Sequence, residues 1–308
     1  MHYIIAGGTG FIGQALVYHW LAQGHKLTVI GRNAAKIQTV FNQKVKSLTW
    51  QQLEAEGENS LVDAYAIINL VGENIGAKPW TAKRKETLLA SRVKPTQILA
   101  KLCARLGQNG PVLLNASGVG VYGLQTEITA DNAYSEAIPL AEPESFLAIL
   151  GQAWEQALAP ALLAKVRTIM LRLGVVIGAG GVIKQLLPIY RLGLGGKLGN
   201  GRQPFAWISI IDVCAAIDFI LANPSLQGPV NLVAPQTVNQ AEFAKSLCQR
   251  LHKPCWSKLP AAILNLFLGQ LAKELLLQGQ HVIPLKLVNA GFTFKAPDLN
   301  TALERLKI

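Results

Sequence analysis

The chain has 308 residues, of which 50% are hydrophobic and 15% are charged, so it is long enough to bury a full core of one large domain or of a domain with a smaller lobe. Its four cysteines form no C-x-x-C pair and show no zinc spacing with the five histidines, which argues against a disulfide framework and a metal site and favours a cytoplasmic location. No apolar run reaches about 18 residues, so no membrane span is predicted.

The formal net charge of +11 suits a nucleic acid, a membrane surface or an acidic small molecule. The basic residues are spread along the chain, and no nucleic-acid-binding motif accompanies them. Most of them are expected to lie on solvated helix faces, and an anionic ligand is the next explanation. We therefore predict a small-molecule partner and no nucleic acid, and the sequence leaves the oligomeric state open.

Apolar runs and amphipathic stretches alternate over the first 178 residues. The predicted strands cover residues 2–6, 26–31, 64–72, 111–118 and 166–178, and the predicted helices cover residues 12–23, 81–107 and 144–164. Pro95 is expected to bend the long helix or to start a second one. Strands that alternate with helices predict an α/β fold with a Rossmann-type, doubly wound parallel sheet.

The composition of the sequence changes after Gly178, where a glycine-rich stretch predicts a helix followed by long loops. Residues 208–223 predict a strand, a turn and a helix, residues 228–235 predict a late strand, and the remaining C-terminal part is expected to be mostly helical. The apolar stretch 260–279 is interrupted by polar residues and is interpreted as a docked helix. We predict a nucleotide-binding domain from 1–178 plus 207–235, and a smaller, mostly helical lobe from 179–206 plus 236–308.

The turn after the first strand carries a dinucleotide-binding pattern. Gly8, Gly10 and Gly13 satisfy G-x-G-x-x-G, and Gly7, Gly10 and Gly13 satisfy the variant G-x-x-G-x-x-G. Between a strand and a helix, such glycines allow a tight turn, close approach to a diphosphate and close packing of the helix on the strand. An ordinary glycine-rich turn is the alternative, which the flanking elements disfavour.

The end of the second strand indicates which dinucleotide is bound. An NAD enzyme usually has Asp or Glu at this position, to bond the ribose hydroxyls, but here the strand ends with Gly31 and Arg32. A guanidinium binds a 2′-phosphate in a fork, whereas a carboxylate would repel it. We therefore predict NADP(H) rather than NAD(H) as the cofactor.

The glycine loop, "INLVGENI" and "LNASGVGVYG" resemble the extended short-chain dehydrogenase/reductase superfamily. The stretches "WTAKRKETLLASRVKPTQILA", "GGVIKQLLPIYRLGLGGKLGNGRQPFAWISIID" and "LLQGQHVIPLKLVNAGFTF" are similar to one atypical branch of it. This branch is sugar-nucleotide-epimerase-like and has a short helical C-terminal domain. The resemblance covers nearly the whole chain and implies fold and cofactor more directly than reaction.

The resemblance implies roles for individual residues. The expected cofactor-binding residues are Gly7, Gly10, Phe11, Ile12, Gly13, Gly31, Arg32, Leu70, Val71, Gly72 and Arg92. For Arg92, a salt bridge on its helix is an equally good alternative. Ser117 and Tyr122 are the candidate catalytic residues. The resemblance implies that Ser117 bonds the reacting oxygen and that Tyr122 forms a wall beside the substrate.

One feature of the superfamily is missing. Its enzymes normally carry Tyr-x-x-x-Lys on the helix after the "YG" turn, where the lysine lowers the tyrosine pKa for proton transfer. None of the six tyrosines has lysine four residues later, and Phe146 and Leu150 lie near the expected positions. Proton transfer would therefore need a substitute, and Tyr122, Ser117 through water, and Glu144 are the alternatives.

The second lobe offers cations for an anionic substrate. The candidate substrate-binding residues are Lys184, Arg202, Gln203 and Trp207. Solvated cations beside ordinary glycine turns are the equally weighted alternative. Asp212 is expected to cap the helix that follows it.

We thus predict an NADP(H)-binding oxidoreductase or epimerase-like enzyme for a small, anionic carbonyl or nucleotide-sugar substrate. The alternative is a weakly active or inactive NADP(H)-binding sensor.

Overall fold

A computed structural model describes residues 1–306. Its central feature is a seven-stranded sheet in the order β10-β6-β5-β4-β1-β2-β3, in which every neighbouring pair of strands is parallel. The elements of the first part are β1 (His2–Ala6), α1 (Phe11–Ala22), β2 (Lys26–Gly31), α2 (Ala34–Val40), β3 (Lys46–Thr49), α3 (Trp50–Glu56), β4 (Ala66–Asn69), α4 (Ala82–Leu106), β5 (Val112–Gly118), α5 (Phe146–Gln156), α6 (Ala159–Leu163) and β6 (Thr168–Leu173). The Rossmann-type α/β fold is confirmed.

The second part contributes one further strand to this sheet and two small parallel strand pairs, β7 with β9 and β8 with β11. Its elements are β7 (Val175–Ile177), α7 (Gly181–Arg191), β8 (Gly196–Leu198), β9 (Trp207–Ser209), α8 (Ile210–Ala222), β10 (Gly228–Leu232), α9 (Gln240–Arg250), β11 (Ser257–Leu259), α10 (Ala261–Leu268), α11 (Leu285–Asn289) and α12 (Leu299–Glu304). Single turns of other helix types also occur in the described chain: 3₁₀ turns at Gly57–Ser60, Gly107–Asn109 and Val119–Tyr122, and a π turn at Ala272–Leu276.

Both faces of the large sheet are buried. Ile5 of β1 lies in the core beneath α1 and α8, whereas Ile4 lies in the core beneath α4 and α6. A strand that is buried on both faces needs apolar side chains at successive positions, which explains the continuous apolar runs of β1 and β4. The carboxyl ends of β1, β4 and β5 lie side by side, because these strands are parallel neighbours.

Several elements differ from the predicted ones in detail. Residues 34–56 form α2, β3 and α3, which the sequence pattern did not reveal, because these elements are short and largely polar. Residues 166–178 form two strands of different sheets rather than one. The C-terminal part is helical as predicted, although β11 and irregular segments separate its short helices. Pro95 does not start a second helix, because it lies inside the single helix α4, which packs against α5 and α6.

A separate hydrophobic core lies in the C-terminal part. Trp207 is buried there among side chains of α7, α9 and α12, including Ile183, Phe243 and Leu303. The predicted division into 1–178 plus 207–235 and 179–206 plus 236–308 remains a prediction. Within the described residues, no helix combines the length and the apolar character that a bilayer crossing requires.

Candidate functional site

The turn between β1 and α1 has a shape that only glycine allows. Gly7 has φ of 79°, and a Cβ on it would lie 2.9 Å from the backbone carbonyl of Leu70 at the end of β4. A Cβ on Gly13 would lie 2.5 Å from the carbonyl oxygen of Gly7. Gly10 is the N-cap of α1, and no side chain among the described residues caps this helix end. The turn therefore brings unobstructed backbone to the helix N-terminus, which suits a diphosphate.

The side chain of Phe11 packs against the glycine-rich segment at the start of α7. A Cβ on Gly180 would lie 2.4 Å from the Phe11 ring, and Cβ atoms on Gly178 and Gly181 would also come within 3.0 Å of it. The glycine-rich sequence before α7 is thus needed to make room for this ring. Ile12, the next residue, is half-buried and packs against the core beneath α1.

The carboxyl end of β2 presents an arginine without an acidic neighbour. Arg32 is exposed, and within residues 1–306 it forms no ion pair. The following Asn33 caps α2 by accepting a hydrogen bond from the backbone N–H of Lys36. Gly31 is close-packed, because a Cβ on it would lie 3.1 Å from Ile37. The Arg32 guanidinium is therefore free for an anion at the sheet edge that carries Gly7.

Arg92 lies beside the turn after β4 but has protein partners of its own. Its guanidinium donates to the carbonyl oxygens of Leu88 and Glu73 at 3.1 and 3.0 Å, and it lies over the Trp154 ring at 5.0 Å. It also approaches within 3.1 Å of the point where a Cβ on Gly72 would lie. Burial lowers the pKa of Arg92 to about 10. In this structure Arg92 holds the segment after Leu70, Val71 and Gly72 in place.

A buried polar network surrounds Ser117 at the carboxyl end of β5. The Ser117 hydroxyl donates to Glu155 of α5 at 2.7 Å, and Arg172 of β6 donates to both carboxylate oxygens of Glu155 at 2.9 and 2.8 Å. All three residues are buried. Burial disfavours the charge on Arg172, but the hydrogen bonds and the charge of Glu155 raise its pKa above the ordinary value. Neither Glu155 nor Arg172 belongs to a motif that can be recognised in the sequence.

Tyr122 completes this network. The Arg172 guanidinium lies 4.7 Å from the centre of the Tyr122 ring, and the Tyr122 hydroxyl donates to the side chain of Asn231 at 2.8 Å. On its other side the ring stacks on Tyr134, with centroids 5.1 Å apart. Burial raises the pKa of Tyr122. A hydroxyl with a raised pKa and a fixed partner is a poor proton donor near pH 7.

The start of α5 is apolar where the superfamily carries its tyrosine and lysine. Phe146 and Leu150 pack in a hydrophobic cluster with Trp80. The α5 residues that approach the turn after β5 are Leu147, which lies 2.9 Å from a Cβ built on Gly120, and Gly151, whose Cβ would lie 3.0 Å from Val121. Neither has an ionisable group. The Tyr-x-x-x-Lys pair is therefore absent from α5 whether its positions are matched to Phe146 and Leu150 or to Leu147 and Gly151. Glu144 is exposed just before α5.

The four candidate substrate-binding residues are not brought together as free side chains. Lys184 and Arg202 are exposed, whereas Gln203 and Trp207 are buried. The Gln203 amide donates to the carbonyl oxygens of Leu198 and Leu276, which ties β8 to the π turn. The side-chain oxygen of Gln203 and the indole nitrogen of Trp207 have no hydrogen-bond partner within the described residues.

Asp212 does not cap α8 as expected. The cap is Ser209, whose hydroxyl accepts a hydrogen bond from the backbone N–H of Asp212. The Asp212 carboxylate instead accepts from the backbone N–H groups of Lys295 and Ala296, at 2.6 and 3.0 Å. It therefore fixes the segment before α12 to the start of α8.

Comparison with known proteins agrees with this geometry. Residues 3–234 match the model of the NAD dependent epimerase/dehydratase family, and residues 259–306 match DUF1731, a domain of unknown function. An epimerase family protein from Mycobacterium bovis is 36% identical over 301 residues, which cover 97% of this chain and 95% of that protein. Human epimerase family protein SDR39U1 is 33% identical over 309 residues, and 99% of each chain is covered.

Two solved structures extend the comparison. Human SDR39U1 crystallised with NADPH superposes with a TM-score of 0.86 at 32% identity, covering 99% of this chain and 98% of that one. A nucleoside-diphosphate sugar epimerase from Corynebacterium glutamicum superposes with a TM-score of 0.74 at 27% identity, covering 98% of this chain and 57% of that one. The similarity to the human protein thus includes the C-terminal part.

Proposed function

Because the chain belongs to the NAD dependent epimerase/dehydratase family, we propose that it binds NADPH at the β1–α1 turn and acts as an oxidoreductase or epimerase-like protein. The observation that carries the cofactor assignment is the glycine cradle of Gly7, Gly10 and Gly13, with the unpaired Arg32 at the end of the neighbouring strand β2. The NADPH of the human relative supports the same assignment.

The cofactor residues divide into two roles. The backbone of the β1–α1 turn and the N-terminus of α1 would hold the diphosphate, and Gly31 and Arg32 would hold the phosphorylated adenosine ribose. Leu70, Val71 and Gly72 would lie beside the bound dinucleotide, and Arg92 would support them from behind through its bonds to backbone carbonyls. Bound NADPH would supply the hydride, and the chain would orient it.

The test of this assignment is a titration of the protein with NADPH and NADH, followed by fluorescence. We expect tighter binding of NADPH. Charge-assisted hydrogen bonds contribute about 1.5–3 kcal/mol, so Arg32→Ala should weaken NADPH binding by about 10- to 100-fold. It should leave NADH binding nearly unchanged, because NADH lacks the 2′-phosphate.

Arg305→Ala is the matched control, since Arg305 is also exposed but belongs to the end of α12. This variant should bind both nucleotides as the unchanged protein does. Equal affinities for NADPH and NADH, unaffected by Arg32→Ala, would refute the assignment.

The substrate proposal is a small, anionic carbonyl compound or nucleotide sugar. It is supported by the exposed cations Lys184 and Arg202 in the segment between β7 and β9. Gln203 and Trp207 would act from behind, as buried supports of that segment. Ser117 and Tyr122 remain the proposed catalytic residues, although each hydroxyl must leave its present acceptor to bond a substrate oxygen. Loss of a positioned general acid costs about 10²- to 10⁴-fold in rate, so turnover should be slow.

Oxidation of NADPH in the presence of a panel of carbonyl compounds and nucleotide sugars tests this proposal. For a turned-over substrate, Lys184→Ala and Arg202→Ala should raise KM more than they lower kcat, because they remove attraction to the substrate anion. Ser117→Ala or Tyr122→Phe should lower kcat. Turnover that none of the four substitutions changes would contradict the placement of the substrate.

A second candidate function is an NADPH-binding sensor. Leu147 and Gly151 at the start of α5 favour it, because neither side chain can exchange a proton. Tight NADPH binding without turnover across the panel would support the sensor.

A further inference from the structure

The C-terminal part of the chain exposes a group of large apolar side chains. They belong to the end of α7, to the loops beside β8 and β11, and to α10. These residues, which we call the C-terminal rim, are Ile189, Leu192, Leu194, Trp256, Leu259, Ile263, Leu266 and Phe267. Isolated exposed apolar residues are ordinary, but a group of this size on adjacent elements marks an interaction surface.

Helix α10 shows how the rim is built. Leu264 faces inward and is buried, and Leu268 just beyond it packs against Trp80 and Leu271. Ile263, Leu266 and Phe267, spaced three and four residues apart, lie on another face of the helix, where Leu266 is 80% exposed and Phe267 is 75% exposed. The apolar stretch 260–279 therefore docks one side against the protein and leaves another side uncovered.

The elements of the rim are joined by direct contacts. β8 pairs with β11, so that Lys197 lies opposite Lys258 and Leu198 lies opposite Leu259. A Cβ on Gly193 would lie 3.5 Å from Pro254, two residues before Trp256, which is 78% exposed. Pro260 leads directly from β11 into α10. The exposed side chains thus belong to one continuous stretch of surface.

The same stretch of surface is strongly basic. Residues 179–202 and 251–273 contain no Asp or Glu. Lys184 and Arg202 in these segments are the proposed substrate-binding cations. The other cations are Arg191, Lys197, Lys253, Lys258 and Lys273; all are exposed, and within residues 1–306 none of them pairs with a carboxylate. The rim therefore combines exposed apolar groups with an uncompensated positive charge.

We infer that the C-terminal rim binds the surface of a lipid bilayer that contains anionic lipids. Leucine, phenylalanine and tryptophan side chains enter the boundary between headgroups and acyl chains, and nearby lysines attract anionic headgroups. A second copy of this chain fits the rim poorly, because a two-fold contact would place its cations against the same cations. This inference does not depend on the cofactor or on turnover.

Vesicle flotation with the full-length protein tests the inference. The probes are vesicles of phosphatidylcholine alone and vesicles with about 30% phosphatidylserine, in about 0.1 M salt. We expect at least about tenfold stronger binding to the anionic vesicles, with a blue shift of tryptophan fluorescence that Trp256→Phe abolishes. Leu266→Ser with Phe267→Ser should reduce this binding at least about tenfold.

Two matched controls distinguish binding by the rim from non-specific hydrophobic binding and from an effect of net charge alone. Leu163→Ser changes another leucine, 84% exposed on α6, and should have no effect. Lys253→Glu with Lys258→Glu should abolish the preference for anionic vesicles. Lys44→Glu with Lys46→Glu makes the same charge change beside or within β3, at the far edge of the large sheet, and should retain most of the binding.

Three results would overturn the inference. The first is an absence of binding to anionic vesicles by protein that is folded. The second is binding that the Leu266 and Phe267 substitutions leave unchanged. The third is concentration-dependent dimerisation that these substitutions abolish, because this would assign the rim to a second copy.

Discussion

Glu155 shows how much the candidate site depends on residues that have no recognisable motif. Its carboxylate accepts hydrogen bonds from Ser117 and from Arg172, and Arg172 in turn lies over the ring of Tyr122. The residues that the sequence predicts to be catalytic are thus held by residues that belong to no recognisable motif. A glutamate among apolar neighbours on α5 was the one available signal, because a buried charge needs a partner.

The glycines and Arg32 could be predicted to bind the cofactor because the pattern that they form is local in the sequence. The turn, the helix that follows it and the end of the next strand all lie within the first 32 residues. The partners of Ser117 and Tyr122 are 38 and 109 residues away along the chain. Pairings over such distances follow from the packing of the sheet and helices, which a pattern of residue types does not specify.

Glu155→Leu should destabilise the protein strongly, because it leaves the Arg172 guanidinium buried without a counter-charge. Removal of one partner of a buried pair costs about 3–5 kcal/mol of unfolding free energy. Combining Glu155→Leu with Arg172→Met should recover a large part of this loss, since no isolated charge remains. Urea unfolding measures both effects.

Glu86→Leu is the control for that measurement, because Glu86 is exposed on α4 and makes no ion pair within the described residues. It should change the unfolding free energy by less than about 0.5 kcal/mol. A single substitution at Glu155 as mild as this control would show that the network contributes little to stability.

At the scale of elements, α5 is completed from a distant part of the chain. The backbone N–H groups of Phe146 and Leu147 donate to the carboxylate of Glu274 in the π turn, at 3.2 and 3.0 Å. Ser145 satisfies a third N–H of the same helix end. A negative charge at a helix N-terminus also interacts favourably with the helix dipole. The C-terminal part therefore supplies the hydrogen-bond acceptor for the N-terminus of α5, the helix that borders the candidate site.

Strongly apolar or strongly periodic elements were predictable, and short polar ones were not. The strands β1, β2, β4 and β5 were placed within a few residues, because each is a short apolar run between turn residues. The elements α2, β3 and α3 carry mixed polar residues, so tertiary pairing at the sheet edge decides their structure.

Glu274→Ala should lower the unfolding free energy, because the two N–H groups lose their acceptor in a buried setting. Each orphaned donor costs about 1–3 kcal/mol. Glu274→Gln keeps one oxygen acceptor and should be clearly less destabilising. The comparison by urea unfolding is decisive, since equal losses for the two variants would mean that Glu274 acts by filling space rather than by accepting hydrogen bonds.

At the scale of the whole molecule, the aromatic ring of Phe11 connects the β1–α1 turn to the glycine-rich segment at the start of α7. Phe11 fills the space left by Gly178, Gly180 and Gly181, and α7 with Lys184 begins at Gly181. A disturbance at these glycines must therefore reach the proposed diphosphate site, although they are remote from it in sequence.

Gly180→Ala should weaken NADPH binding by about tenfold, because its Cβ would force the Phe11 ring to move. The Cβ would otherwise lie 2.4 Å from that ring. Gly76→Ala is the control, since the nearest described atom to its Cβ would be the side-chain oxygen of Asn74, at 3.8 Å. Unchanged NADPH affinity in the Gly180 variant, measured on folded protein, would show that the turn tolerates displacement of Phe11.

The bond between Glu274 and the start of α5 also constrains how the chain can mature. During translation, Phe146 is synthesised 128 residues before Glu274. Until then the first turn of α5 exposes its donors and the apolar surface around Trp80. A nascent chain is thus incomplete at its candidate site until the last elements have been synthesised, and a fragment that ends with the nucleotide-binding half should be prone to aggregation.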